Sequence, residues 1–318
     1  MARTSNWNKN WDTKIYPILK WGVLAIAYGA LLYTLLAFRH RGTEFSEWLN
    51  RIRGGEWRFG LAMLMLIPLN WALEALKWKL LTRRLEHLSF FNALKSVLRG
   101  CTVAFFTPNR IGEYPARCVS LREGNRARGI SLGIVGAMSQ TSVVVMGGVP
   151  AALLYFSDDE RLRFAGVSLF ILCLVAYFLL PQCSQRLQRL HALAKWRKYL
   201  APVSELERMQ LAEVLLSALV RYAVFCTQFF LLLRFFCVDL SLTDGMIAIA
   251  TNYLFVTFTP SMLLSEGAVR ASTGVAVFTV LRPLTDDAVA VLCASVSVWI
   301  LNYVIPMLIG SLFWIRKR

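Results

Sequence analysis

The chain alternates long apolar runs with short polar and basic segments. Six runs reach about the 20 residues that an α-helix needs to cross a bilayer, and they cover 15–38, 57–81, 130–156, 162–180, 211–236 and 288–315. This pattern predicts an all-α polytopic membrane protein with about six full spans. It also predicts a single integral membrane domain over 1–318.

Two further apolar stretches, 90–107 and 242–259, are interrupted by polar residues. Lys95 and Arg99 interrupt the first stretch and Asn252 interrupts the second, and each stretch ends at a Thr-Pro pair. Irregular backbone at membrane depth persists only where protein or a wet cavity surrounds it. We therefore predict two re-entrant or broken helices whose Thr-Pro breaks approach each other near the membrane midplane.

The two Thr-Pro segments resemble each other. Both read Thr-Pro, a short spacer, Glu, three residues and Arg, once over 107–117 and again over 259–270. The similarity predicts two repeat halves, 57–181 and 211–315, joined by a basic amphipathic segment, 182–210, on the cytoplasmic membrane surface. If the two broken helices enter from opposite faces, the halves are inverted repeats, an arrangement expected of a transporter.

Composition and charge support a membrane protein. Hydrophobic residues make up 57% of the chain and the mean hydropathy is +0.51, which lies outside ordinary soluble composition. The net charge of +16 comes from Lys and Arg in short loops, which argues against a nucleic-acid partner. With both termini in the cytoplasm, the inside segments carry 20 Lys and Arg and the outside segments 8, as the positive-inside rule requires.

Several familiar chemistries are not indicated. The seven cysteines form no CxxC pair and the three histidines are scattered, so neither set has metal-ligand spacing. There is no Walker loop, GxGxxG after a strand, GxSxG or HExxH. We expect no cofactor, no metal and no enzymatic activity, and ATP-driven transport is not supported.

Charged residues at membrane depth form the candidate site, because such charges are expensive to keep there. They are Arg110, Glu113, Arg117, Glu266, Arg270 and Arg221. Arg110 and Arg117 could bind an anion such as a phosphate headgroup through their guanidiniums. Glu113 and Glu266 would organise or couple the site, and the remaining two arginines would complete its lining.

An alternative is that these charges only pair with one another, since buried charges are usually paired. Glu113 could pair with a neighbouring arginine, and Arg221 with Glu113 or Glu74. Glu266 and Arg270 are four residues apart in the order that favours a helical ion pair. Both alternatives, headgroup binding and internal salt bridges, remain open at this point.

Glu74 and Lys77 lie one turn apart in the second half of the run 57–81. That end of the run also holds Lys79, Arg83 and Arg84. Long basic side chains near the end of a span reach the membrane interface. Glu74 and Lys77 could therefore be functional charges within a span or an interfacial pair, and we favour the interfacial pair.

Three segments resemble the lysylphosphatidylglycerol synthase transmembrane-region family, a flippase-like membrane domain. They are 70–78 (Asn-Trp-Ala-Leu-Glu-Ala-Leu-Lys-Trp), 88–96 (Leu-Ser-Phe-Phe-Asn-Ala-Leu-Lys-Ser) and 107–113 (Thr-Pro-Asn-Arg-Ile-Gly-Glu) with Arg117. In the second half the family usually has a Pro-Gly-Gly-like turn before Glu, and this chain departs from it at 260–266. The soluble aminoacyltransferase domain of full synthases is not found in 1–318, so we expect no lipid aminoacylation.

The resemblance implies a bacterial or archaeal inner-membrane protein that handles anionic or aminoacylated phospholipids, or polyprenyl-phosphate-linked precursors. We expect a lipid translocase or flippase-like protein that binds anionic headgroups. One alternative is a non-transporting membrane scaffold that delivers lipid to a separate transferase. Another is an intramembrane lipid-modifying enzyme with Glu as general base, but no activated nucleophile accompanies it.

Overall fold

A computed structural model describes residues 42–156, 159–259, 265–281 and 283–315. In this part of the chain the regular structure is helical and no strand is present, which confirms the predicted all-α architecture. The predicted first span, 15–38, lies outside the described residues. So do 260–264 of the second Thr-Pro segment.

Five helices within these ranges are long and apolar enough to cross a membrane. They are α2 (Trp57–Thr82), α5 (Glu123–Phe156), α6 (Glu160–Phe178), α9 (Arg208–Phe235) and a broken helix made of α12 (Ala288–Trp299), a π-helical segment (Ile300–Val304) and α13 (Ile305–Ile315). They match five of the predicted spans, although α5 begins at Glu123 rather than at 130. The chain is therefore a multi-pass membrane protein.

The shorter helices complete the fold. They are α1 (Gly42–Gly54), α3 (Phe90–Phe105), α4 (Glu113–Cys118), α7 (Leu180–Gln188), α8 (Arg197–Ser204), α10 (Leu242–Phe258) and α11 (Ser265–Val275), which continues as a π-helical segment (Ala276–Leu281). The basic segment predicted as one amphipathic surface stretch is divided between α7 and α8. These two helices pack against each other, and the Ser184 hydroxyl donates to the Leu200 carbonyl at 2.7 Å.

Helices α2 and α9 form the most extensive helix pair and run antiparallel. The Glu56 N–H, before α2, donates to the Phe235 carbonyl at 3.1 Å. Near the opposite end of the same helix pair, the Gln210 side chain of α9 donates to the Leu80 carbonyl of α2 at 2.8 Å. The bundle therefore has two ends, which we call the Asp287 end (55–56, 236–241 and 283–287) and the Glu86 end (83–89, 120–125 and 205–208).

The segment 89–122, the first hairpin, begins and finishes at the Glu86 end. Ser89 caps α3 by accepting from the Asn92 N–H at 3.3 Å, which satisfies one of the unpaired donors of a helix start. The chain reverses after α3, and α4 returns beside it. The Arg122 N–H then donates to Glu86 at 3.1 Å, so the chain has come back to the loop before α3.

The segment 241–287, the second hairpin, begins and finishes at the Asp287 end. Ser241 caps α10 by accepting from the Asp244 N–H at 3.1 Å. After α11 the chain reaches Asp287, which pairs with Arg51 at 2.6 Å. The two capping serines are 152 positions apart, as are the two Thr-Pro threonines. The serine caps therefore extend the similarity already seen between the Thr-Pro segments.

Each hairpin packs against the long helix of the other half, α3 on α13 and α10 on α5. A Cβ at Gly310 of α13 would overlap the Leu98 carbonyl of α3, and one at Gly148 of α5 would lie 3.0 Å from the Ala250 carbonyl of α10. Glycine permits both close approaches because it has no Cβ. Leu98 and Ala250 are again 152 positions apart, so the two glycines approach matching positions of the two hairpins.

Candidate functional site

The first Thr-Pro segment forms a tight reversal between α3 and α4. The Thr107 hydroxyl accepts a hydrogen bond from the Gly112 N–H at 2.9 Å and donates one to the Val103 carbonyl at 3.2 Å. Asn109 and Arg110 have φ of 48° and 60°, a left-handed conformation that costs an L-residue roughly 1–2 kcal/mol. The reversal brings Arg110 to the lining of a central cavity.

The short helix α4 begins at Glu113 and contains Pro115. Pro115 is accommodated because it stands in the first turn, where backbone N–H groups have no intrahelical partner. Glu113 and Arg117 therefore share one face and form an ion pair. The proline does not separate them.

Glu74 of α2 is the centre of a buried ion network. Its carboxylate contacts Lys77 at 2.8 Å, Arg117 at 2.7 Å and Arg221 at 3.0 Å. The interpretation of Glu74 and Lys77 as an interfacial pair is wrong, because the residues are 3% and 2% exposed. Helix α2 packs between α9, α5 and α3, so this part of it faces protein rather than the membrane interface.

Polar side chains extend the network to two further helices. Arg221 of α9 donates to Asn70 of α2 at 2.9 Å and to Gln140 of α5 at 3.2 Å. Asn70 in turn donates to Asn302 at 2.8 Å, which lies in the π-helical segment Ile300–Val304. π-helical turns of this kind are frequent at functional sites.

The arginines of the two hairpins meet at one aromatic ring. The guanidinium carbon of Arg110 lies 4.6 Å from the centroid of Tyr303, and that of Arg270 lies 4.4 Å from it. Both distances are within the range of cation–π attraction. Each arginine also contacts the glutamate of its own hairpin, Glu113 at 3.4 Å and Glu266 at 3.1 Å.

All six predicted site residues line one cavity of about 510 Å³. The charged groups of its lining are Arg110, Arg117, Arg221, Arg270, Lys77, Glu74, Glu113 and Glu266. Their formal charges sum to +2, five cations against three carboxylates. Buried charge without compensation is costly, so this lining is suited to an anion. The role of the six residues in binding remains a prediction.

Sequence reasoning missed Glu74 and Lys77 as members of the site, although one signal was present. Glu74 lies eight residues before Thr82, the last residue of α2. That is about 12 Å along the helix axis, which places the carboxylate well inside the span.

Among the described residues, no group of three or more His, Cys, Asp or Glu could hold a metal ion.

Comparison with protein families gives one match. The model of the lysylphosphatidylglycerol synthase TM region matches residues 21–310. The chain belongs to this family. The matched range contains both hairpins and every charged residue of the cavity, and the membrane domain of the family is associated with lipid handling. Comparison with curated proteins and with solved structures found no match.

Proposed function

We propose that the protein binds the anionic phosphate headgroup of a membrane lipid in the central cavity and moves it between leaflets. The observation that carries the proposal is a cavity whose described lining has a formal charge of +2, inside a membrane bundle. Guanidiniums form strong, charge-assisted hydrogen bonds to phosphate. Anionic phospholipids and polyprenyl phosphates both supply such a group.

The two hairpins support transport rather than static binding. We infer that they are re-entrant and inverted, because the first opens at the Glu86 end and the second at the Asp287 end. Transporters with inverted repeats place their broken helices and substrate site at the repeat interface. The cavity lies at such an interface, since Arg110 belongs to one hairpin and Arg270 to the other.

The cavity also has apolar surroundings that fit a lipid tail. Phe258, at the last turn of α10, lines the cavity and is 62% exposed. Ile111, next to Arg110 at the tip of the first hairpin, is also 62% exposed. A headgroup held inside would leave its acyl or polyprenyl chain beside these side chains and in contact with the bilayer.

A reconstituted translocation assay tests this function. Proteoliposomes would carry a fluorescent phosphatidylglycerol or a matched phosphatidylcholine, and an impermeant reductant would report the outer-leaflet fraction. We expect faster exchange of the anionic lipid than of phosphatidylcholine, and loss of that exchange in the Arg110→Gln, Arg270→Gln double variant. The control is Arg58→Gln, which removes an exposed arginine outside the cavity.

The outcome also separates transport from the scaffold alternative. If the wild type binds the anionic lipid but neither it nor any variant exchanges that lipid between leaflets, the translocase proposal is overturned. That outcome would favour a scaffold that presents lipid to a transferase. Equal exchange of both lipids by the wild type and the double variant would overturn headgroup recognition in the cavity.

A further inference from the structure

The five cations of the cavity differ in how completely the protein occupies them. Arg117 contacts Glu74 through Nη1 and Glu113 through Nη2. Arg221 contacts Glu74, Asn70 and Gln140. Each of these two arginines therefore has two of its three guanidinium nitrogens committed to carboxylate or amide oxygens of the protein, although the buried Nε of Arg117 has no hydrogen-bond partner within the described residues.

Among the described residues, Arg110 and Arg270 each use only one of their three guanidinium nitrogens. The contact of Arg110 with Glu113 is made through Nε at 3.4 Å, beyond the usual range for a hydrogen bond of this type. Arg270 uses only Nη2 for Glu266, and its buried Nε has no hydrogen-bond partner. Within the described ranges, both Nη atoms of Arg110 and Nη1 of Arg270 also lack one. The Arg270 side chain is 11% exposed and its unsatisfied buried donor is costly, whereas the Arg110 side chain is 29% exposed and presents its donors to the cavity.

The geometry places both guanidiniums at one aromatic ring. Both guanidinium carbons lie beside Tyr303, and because their distances to its centroid total 9.0 Å, they are no further apart than that. A phosphate group has oxygens pointing in several directions, so it can accept from two guanidiniums at once. Tyr303 restricts both arginines by stacking, which limits the entropy lost when they bind.

We propose that Arg110 and Arg270, one from each hairpin, form a clamp on Tyr303 for a doubly charged phosphate group, either a phosphomonoester or a pyrophosphate. This inference rests on the proposed function and names its ligand more narrowly. A phosphomonoester carries about −1.5 to −2 charges at pH 7, which matches the formal +2 of the lining, whereas a phosphodiester carries one. Arg117 then organises the carboxylates and does not bind the phosphate, contrary to the assignment made from sequence.

The test measures lipid binding to the whole protein in phosphatidylcholine nanodiscs. The probes are phosphatidic acid as the phosphomonoester lipid, phosphatidylglycerol as the phosphodiester lipid, and inorganic pyrophosphate as a free anion. We expect the wild type to bind phosphatidic acid more tightly than phosphatidylglycerol. Arg110→Gln and Arg270→Gln should each weaken phosphatidic acid binding on the order of tenfold or more, whereas Arg58→Gln should leave it unchanged.

Two further variants separate a clamp from a structural role. Arg270→Lys keeps the charge but not the planar fork, so it should bind phosphatidic acid with an affinity between those of the wild type and Arg270→Gln. Glu266→Gln removes the negative charge that pairs with Arg270 and raises the formal charge of the lining, so it should bind phosphatidic acid more tightly. Weaker binding in Glu266→Gln, with its folding intact by melting temperature, would overturn the clamp.

The remaining outcomes distinguish failure of the clamp from failure of the proposed function. Equal affinity of the wild type for the two anionic lipids would overturn the doubly charged ligand while leaving headgroup binding in place. Binding of pyrophosphate, abolished by the arginine variants, together with no binding of either lipid, would support the clamp and overturn the lipid function. Unchanged phosphatidic acid binding in both Gln variants would overturn the clamp itself.

Discussion

At the scale of single residues, Glu74 determines how the cavity is held together. One carboxylate contacts three cations that come from α2, α4 and α9. Breaking a buried ion pair by removing one partner leaves an uncompensated charge, which costs more than the pair contributes when intact. Glu74 therefore stabilises the assembled site beyond its own helix.

We expect Glu74→Gln to destabilise the protein by about 3–5 kcal/mol, the cost of leaving buried cations without their counter-ion. The melting temperature in detergent measures the effect. Glu123→Gln is the control, since Glu123 belongs to an exposed ion pair with Arg126 at 3.7 Å and exposed pairs contribute about 0–1 kcal/mol. Similar melting temperatures for the two variants would contradict a central role for Glu74.

At the scale of elements, the two hairpins are held by close backbone contacts with the long helices of the opposite halves. These contacts exist only because glycine occupies Gly148 and Gly310. These close approaches explain how two helices of 16 and 17 residues, too short to span with ease, remain packed within the bundle.

We predict that Gly310→Ala and Gly148→Ala each destabilise the protein by about 1–3 kcal/mol, because the added methyl group overpacks a close helix contact. Gly310→Ala should be the worse of the two, because its Cβ overlaps a backbone carbonyl that cannot rotate away. Gly124→Ala is the matched control, as a Cβ there meets nothing within 4 Å and alanine favours helix. Thermal unfolding in detergent measures all three, and a loss in Gly124→Ala as large as in Gly310→Ala would refute the packing argument.

The start of α12 allows a prediction about pH. Partial burial alone would raise the pKa of Asp287, but hydrogen bonds from the Ala290 N–H and from Arg51 outweigh it and hold the pKa below its usual value. A carboxylate with a lowered pKa stabilises the fold above its unfolded pKa of about 3.9, and this contribution is lost as pH falls through the lower folded value.

Asp287→Ala should therefore lower the melting temperature at neutral pH, because it removes an N-cap that stabilises the protein by about 0.5–2 kcal/mol. The difference from the wild type should shrink as the pH is lowered below 4. Asp287→Asn is the control, because it retains the cap and loses only the partly exposed ion pair. A difference that stays constant down to acid pH would contradict the assignment.

At the scale of the whole molecule, the two ends of the bundle differ in charge. The Glu86 end is adjoined by α7, α8 and the segment between them, whose exposed basic residues include Arg186, Arg189, Lys195, Arg197 and Lys198. Cytoplasmic loops carry the excess of Lys and Arg. We propose that the Glu86 end faces the cytoplasm.

Two native cysteines test this orientation. Cys183 lies on α7 near the Glu86 end and Cys237 follows α9 at the Asp287 end, and both are exposed. In intact cells, an impermeant thiol reagent should label a variant that retains only Cys237 and spare one that retains only Cys183. A permeant reagent should label both, and the reverse pattern with the impermeant reagent would show the opposite orientation.

The sequence by itself determined the class of the protein and much of its architecture. Apolar length, the distribution of Lys and Arg, and the two Thr-Pro segments are local features, because the bilayer imposes its length and polarity on each segment separately. For that reason five spans, two short apolar helices and six of the eight charged residues of the cavity were predictable.

Only the tertiary structure decided which charges belong together. Glu74 was misinterpreted because its environment depends on α9 and α5, which follow it in the chain by many residues. Arg110 and Arg270 meet at Tyr303 because two hairpins fold back from opposite ends against the long helices of the other half. Sequence spacing cannot specify that meeting, because the distances between these groups are determined by helix packing across the whole bundle.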